Sequence, residues 1–257
     1  MKTLFAQTLR VNCGFVLLAC GLIVCPRLEA GGNFPSTLLN VDFGPLIGES
    51  LKAGPAATGQ TNSDFWNYYS RDDGHGGYRT RGGLANMVWA NGEVSTVGMN
   101  IANAPGCWGN GAADPMYEYY LYPLGGASRN ITVVVTNLPA GSYDFYLYGH
   151  GNADNQSGVF QLSSCAVNYG TQATASSGNE WQSPVWRLGR QYVLFTNVTV
   201  ATDVPVTITV LPDPAGYAII AGMQIALNGP EFLAGSSGAA PVMTSQPASQ
   251  AVAVVEW

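Results

Sequence analysis

The stretch 130-NITVVVTNLPAGSYDFYLYG-149 constrains the fold of this chain more than any other. In its first half Ile131, Val133 and Val135 fall on one face of an extended chain, with Thr132, Val134 and Thr136 on the other. In its second half Tyr143, Phe145 and Leu147 align in the same way. Side chains of a strand alternate between faces, so an apolar period of two is the signature of a strand with one buried side. The residues between the halves, 139-PAG-141, have turn chemistry, and the pair reads as a β-hairpin.

The same alternation runs through 204-VPVTITVL-211, and further strands are expected at 37-TLLNVDFG-44, 84-LANMVWA-90, 94-VSTVGMNIA-102, 116-MYEYYLYP-123, 158-GVFQLSS-164, 191-QYVLFTNVTV-200 and 217-YAIIAGMQIAL-227. Charged residues make up only 10% of the chain, and its 32 glycines and 15 prolines supply turns rather than helices. About nine or ten strands with glycine-rich loops predict an all-β protein, a two-sheet antiparallel β-sandwich with jelly-roll topology. A barrel and an immunoglobulin-like arrangement are the alternatives. The irregular stretches 45–83 and 103–115 favour the jelly roll. Val133, Phe145, Ile208 and Ile219 are expected to meet in a common core.

Residues 1–30 stand apart. Lys2 and Arg10 precede an apolar run, 13-CGFVLLACGLIVC-25, and a short polar segment then ends at Ala30. This is the pattern of a secretory signal peptide, and the run falls short of the roughly 20 residues that span a bilayer. Within it, 17-LLAC-20 is similar to a lipoprotein processing site. The expected product is secreted or held at the cell surface, with no membrane insertion after cleavage. Without Lys2, Arg10, Arg27 and Glu29 the chain keeps 7 basic and 15 acidic side chains, a net charge of −8. That charge, and the lack of any basic run, argue against a nucleic-acid partner.

Two cysteines then remain, Cys107 and Cys165, and an oxidising compartment makes them a disulfide candidate. The predicted domain spans 33–228, followed by a Gly/Ser/Pro-containing linker at 229–241 and a final segment at 242–257. Asn130, Asn155 and Asn197 open Asn-x-Ser/Thr triplets, read as chance matches in a threonine-rich β protein.

No G-x-S-x-G, nucleotide fingerprint or zinc-ligand spacing occurs. A glycosidase would need two carboxylates across a cleft. The candidates are Asp64, Asp72, Asp73, Glu93, Asp114, Glu118 and Asp154, with Glu118 placed on a strand among aromatics. The acidic loops 72-DDGHGG-77 and 150-HGNADNQSG-158 have the residue types of a structural Ca²⁺ site but not the spacing of a known calcium loop. No other cofactor is implied.

The chemistry that stands out is aromatic and polar together. In 64-DFWNYYSRDDGHGG-77, 106-GCWGNGAAD-114 and 148-YGHGNADNQ-156, aromatic rings alternate with Asp, Asn, Arg and His. Flat rings cover the C–H faces of sugars, and a few directed polar groups hold hydroxyls. If these loops converge, Trp66, Tyr68 and Trp108 stack while Asp72, His75, His150, Asn152 and Asp154 hydrogen-bond. The reading is a non-catalytic carbohydrate-binding pocket. In the competing reading Trp66, Tyr68 and Tyr69 plug the end of the sandwich and Arg71 pairs with its aspartates, which leaves a structural spacer or adhesion module with no small ligand. A polysaccharide-active enzyme is the third reading.

The phrases NVDFG, DFWNYYSRDDG, NAPGCWGNGAADPMYEYYLY, NITVVVTNLPAGSYDFYLYGHGNADNQSGVFQL and GYAIIAGMQIAL resemble a β-sandwich module of large secreted proteins in Verrucomicrobia-like bacteria. They are broadly similar to galactose-binding-like and malectin-like jelly rolls. The segment 242-VMTSQPASQAVAVVEW-257 resembles the opening strand of bacterial immunoglobulin-like repeats. The resemblance covers roughly residues 37–228 and implies a non-catalytic module beside immunoglobulin-like domains, with carbohydrate as the suspected ligand.

Overall fold

A computed structural model describes residues 38–124, 129–175 and 182–228. The expected signal peptide, the linker and the immunoglobulin-like start lie outside the described residues. The chain is all-β, and among the described residues the one α-helix is a single turn. The strands are β1 (Leu38–Gly44), β2 (Asn67–Ser70), β3 (Arg81–Leu84), β4 (Gly98–Ala102), β5 (Gly106–Gly109), β6 (Tyr119–Tyr122), β7 (Ile131–Thr136), β8 (Gly141–Tyr148), β9 (Val159–Ser164), β10 (Val167–Ala173), β11 (Tyr192–Val200), β12 (Val206–Leu211) and β13 (Gly222–Leu227). The helix α1 (Pro115–Glu118) sits between β5 and β6.

Two sheets face each other. One has the order β11-β8-β13-β1-β2, the other β10-β9-β12-β7-β4-β3, and β5 and β6 form a separate ribbon. Pairing is antiparallel except between β1 and β2, which run parallel. The chain changes sheet between β2 and β3, β7 and β8, β8 and β9, β10 and β11, β11 and β12, and β12 and β13. This repeated crossing is the jelly-roll pattern.

The expected hairpin at 130–149 does not form. The two halves are strands, but β7 pairs with β4 and β12 while β8 pairs with β11 and β13. Leu138 is buried at the crossing, and the Tyr143 hydroxyl donates to Pro139 O at 2.8 Å. The Pro/Gly turn therefore serves an arch between sheets rather than a hairpin within one.

Alternation explains the main core. Val133 from β7, Phe145 from β8, Ile208 from β12 and Ile225 from β13 meet between the sheets. Ile219 does not join them. It belongs to a second apolar cluster with Trp66, Met116, Tyr117, Tyr120, Tyr148 and Ala221. Its neighbour Ile220 takes the main-core position instead.

The second cluster exists because the sheet of β1, β8 and β13 is covered on its outer face too. All seven residues of β1 are buried. The outward-pointing Asn40, Gln224 and Tyr148 are satisfied beneath the 45–66 excursion. Gln224 Nε2 donates to Asn40 Oδ1 at 2.8 Å and to Thr58 O at 3.0 Å, and Tyr148 Oη accepts from Ala57 N at 3.0 Å. Asn40 Nδ2 donates to Phe65 O at 2.9 Å. A buried polar face is tolerable only when its groups are paired in this way.

The expected disulfide does not form. Cys107 and Cys165 are both free thiols. Cys107 sits in β5 against the main core, while Cys165 lies in the β9–β10 turn with φ 49°.

Candidate functional site

The ribbon of β5 and β6 builds most of one opening. Tyr120 pairs directly with Trp108, and Tyr122 with Gly106, so their side chains project from one face. Cys107 and Leu121 point the other way, onto the main core. Gly106 matters here, because a Cβ at that position would lie 2.7 Å from the Tyr122 ring. Its absence lets the ring lie down across β5.

The segment 217–221 continues the pattern. Leu121 N donates to Ile220 O at 2.8 Å, and Ile220 N donates back to Leu121 O at 3.2 Å. With Ile220 in the main core, Ile219 and Tyr217 fall on the side of Tyr120 and Tyr122. The Tyr122 and Tyr217 rings meet edge to face, with centroids 6.4 Å apart at 88°. The Tyr120 and Tyr122 centroids are 6.0 Å apart.

The third wall is the loop 149–158, a narrow excursion closed at its base by Gly158 N donating to Gly149 O at 3.1 Å and Gly151 N donating to Gln156 O at 2.7 Å. It delivers Asn152 and Gln156. Together Trp108, Tyr120, Tyr122, Asn152, Gln156, Tyr217 and Ile219 line a cavity of about 270 Å³. Trp108 is 57% exposed and Tyr217 40%, whereas Tyr120 and Ile219 are buried. Burial pushes the Tyr120 hydroxyl up to about 12, with the Asn152 backbone amide opposing the shift. Gln156 Oε1 is buried without a hydrogen-bond partner.

Of the expected site residues, Trp108 and Asn152 line this opening. Asp154 is exposed on the same loop, beyond the lining. His150 is buried, its Nδ1 against Gly151 O and its carbonyl accepting from Asn110 Nδ2 at 2.9 Å. Burial lowers its pKa, and the ring does not line the cavity.

The stretch 64–77 does not reach the cavity and has a structural role. Asp64 accepts from Gln60 N at 2.6 Å and Thr61 N at 2.8 Å. Trp66 is buried in the second cluster and its Nε1 donates to Gly54 O at 2.9 Å, so it cannot stack on a ligand. Tyr68 spans β1, with its hydroxyl accepting from Leu46 N at 3.0 Å, and Tyr69 enters the main core. Arg71 Nε lies 2.7 Å from Asp72 Oδ1, and its guanidinium is 3.8 Å from the Tyr78 ring centre. Asp73 accepts from the amides of His75 and Gly77, which lowers its pKa. His75 is exposed on that turn. The competing structural reading therefore describes Trp66, Tyr69 and the Arg71–Asp72 pair.

Glu118, expected on a strand, closes α1. The helix starts there because Pro115 follows Asp114, whose side chain accepts from Met116 N at 3.0 Å. Among the described residues no group of three or more His, Cys, Asp or Glu side chains is placed to hold a metal ion. Sequence reasoning missed Tyr120, Tyr122, Gln156, Tyr217 and Ile219. The two-residue spacing of 120/122 and of 217/219 is the sequence signal for four of them, and Gln156 carries none.

No family model matches the chain, and no curated protein matches it. Solved structures do. One is the CBM36-1 domain of a multidomain xylanase from the hindgut metagenome of Trinervitermes trinervoides, 21% identical over 43% of this chain and 78% of that one, TM-score 0.30. Another is TmCBM61 in complex with β-1,4-galactotriose, 16% identical over 51% of this chain and 82% of that one, TM-score 0.30. A third is the 4-O-methyl-α-glucuronidase BtGH115A, 13% identical over 49% of this chain and 18% of that one, TM-score 0.33. The chain is similar to each of them at low identity.

Proposed function

We propose that this protein is an exported, non-catalytic module that binds carbohydrate in the cavity between the β5–β6 ribbon, the loop 149–158 and the segment 217–221. The observation that carries the reading is the clustering of four aromatic rings, Trp108, Tyr120, Tyr122 and Tyr217, with the carboxamides of Asn152 and Gln156 around one opening. Rings give stacking area on sugar C–H faces, and carboxamides offer both a donor and an acceptor to hydroxyls. The lining contains no carboxylate pair to act as acid and base, which supports holding over hydrolysis. A spacer without a ligand would have no open pocket with exposed rings, so the exposure of Trp108 and Tyr217 weighs against it. The N-terminal pattern of Lys2, Arg10 and the apolar run 13–25 supports export.

Affinity electrophoresis through gels carrying plant and algal polysaccharides tests the reading. At least one should retard the protein, and Trp108→Ala should weaken that retention by roughly tenfold or more, the loss of one stacking ring. Unretarded migration through every gel would remove the reading.

A further inference from the structure

Resting on the carbohydrate reading, we infer that the cavity selects uncharged sugar rings and rejects uronates. Its lining is four aromatic rings, one isoleucine and two neutral carboxamides, and no lysine or arginine side chain is among the lining residues. Lys52, within the 45–66 excursion, is instead paired with Asp114 at 2.5 Å, and Arg71 is held by Asp72 and Tyr78. A carboxylate entering the cavity would lose water without meeting a cation, which is costly in an aromatic site.

Three further features act in the same direction. Aromatic faces carry negative quadrupole density, which attracts sugar C–H groups and repels anions. The carboxylate of Asp154 lies on the loop that supplies Asn152 and Gln156, and the carboxyl of Asp213 hydrogen-bonds the backbone of Tyr217. A hydroxymethyl group can both donate to and accept from the lining carboxamides of Asn152 and Gln156, whereas an ionised carboxylate can only accept. At about 270 Å³ the cavity lies just below the range for drug-sized ligands, which suits a sugar unit or two rather than a long chain.

The test compares ligands that differ only at C6, such as galacto-oligosaccharides against oligogalacturonides and gluco- against glucurono-oligosaccharides, by titration calorimetry on the exported chain. Where a neutral member binds, its acidic counterpart should bind at least about tenfold more weakly. Gln156→Lys should narrow that gap by supplying a cation. Equal affinity for both members, or a preference for the uronate, overturns the selectivity and leaves the carbohydrate reading standing. Binding by neither class across the panel overturns the carbohydrate reading itself and the selectivity with it.

Discussion

The backbone amide of Tyr217 donates to Asp213 Oδ1 at 2.8 Å, and the Asp213 amide donates back to Tyr217 O at 2.9 Å. This two-way clamp closes the turn 213–217 and sets the Tyr217 ring against Tyr122. The Asp213 carboxyl is nearly buried and faces the backbone of Ser157, in the loop that forms the neighbouring wall of the cavity. Asp213→Ala should therefore weaken glycan binding by about fivefold or more, because the ring loses its fixed orientation. Asp213→Asn, which keeps an acceptor for the Tyr217 amide, should recover most of the loss. If both variants bind as the parent does, Asp213 does not position the wall.

A second prediction concerns Gln156. A Cβ added at Gly151 would lie 2.1 Å from Gln156 Oε1. It would also lie 2.6 Å from Gln156 Cβ, which the backbone fixes in place, so Gly151→Ala should strain the paired base of the loop and lower the melting temperature. The carboxamide must swing away as well, which alters the wall that Gln156 contributes to the cavity. Affinity should fall when it is measured well below the variant's melting temperature. An unchanged affinity would show that Gln156 does not touch the ligand.

The two tryptophans at 66 and 108 separate core from site. Both looked like stacking residues in the sequence, yet one is buried and the other stands open. Trp66→Ala should destabilise the fold by about 3–5 kcal/mol, the usual cost of deleting a buried indole. Trp108→Ala should cost well under that, since 57% of its surface is already in water. Thermal unfolding of the two variants side by side checks the contrast, and a reversed order would mean that the interior is misassigned.

What could be read from the sequence follows from where each face is buried. β7, β8, β9 and β12 put one face in the main core, and their alternation is plain. β2 is buried on nearly every residue, so its NYYS has no period to detect and passed for part of a loop. β10 was missed for another reason. Its turn is Cys165–Ala166, both at positive φ, where Asn-Gly would have announced the hairpin. Residue type alone singled out Trp108 and Asn152. Their partners Tyr120, Tyr122 and Tyr217 come from segments that looked like ordinary strands, and only the register of β5 against β6 and the Leu121–Ile220 bridge bring their rings together.

Asp42 supplies a pH dependence with a definite sign. It lies on the covered face of β1, 4% exposed, with Ser50 Oγ donating to its Oδ2 at 2.5 Å. Lys52, Asp114, Tyr68 and Cys107 are the titratable groups around it. Burial is the largest influence and raises its carboxyl from 3.8 to about 7. The folded state thus holds a proton that the unfolded chain releases near pH 4. The stabilisation is complete below that pH and is lost as pH rises through about 7, an effect on the order of 4 kcal/mol at most. His150, with its pKa lowered by burial, acts in the opposite sense, and its contribution is lost as pH falls below 6.5. Comparing the parent with Asp42→Asn cancels the histidine, because both proteins carry it. Asn keeps an acceptor for Ser50 and cannot ionise. The variant should match the parent near pH 4 and melt at progressively higher temperature than the parent up to pH 8. Parallel curves across that range would show that Asp42 does not titrate within it.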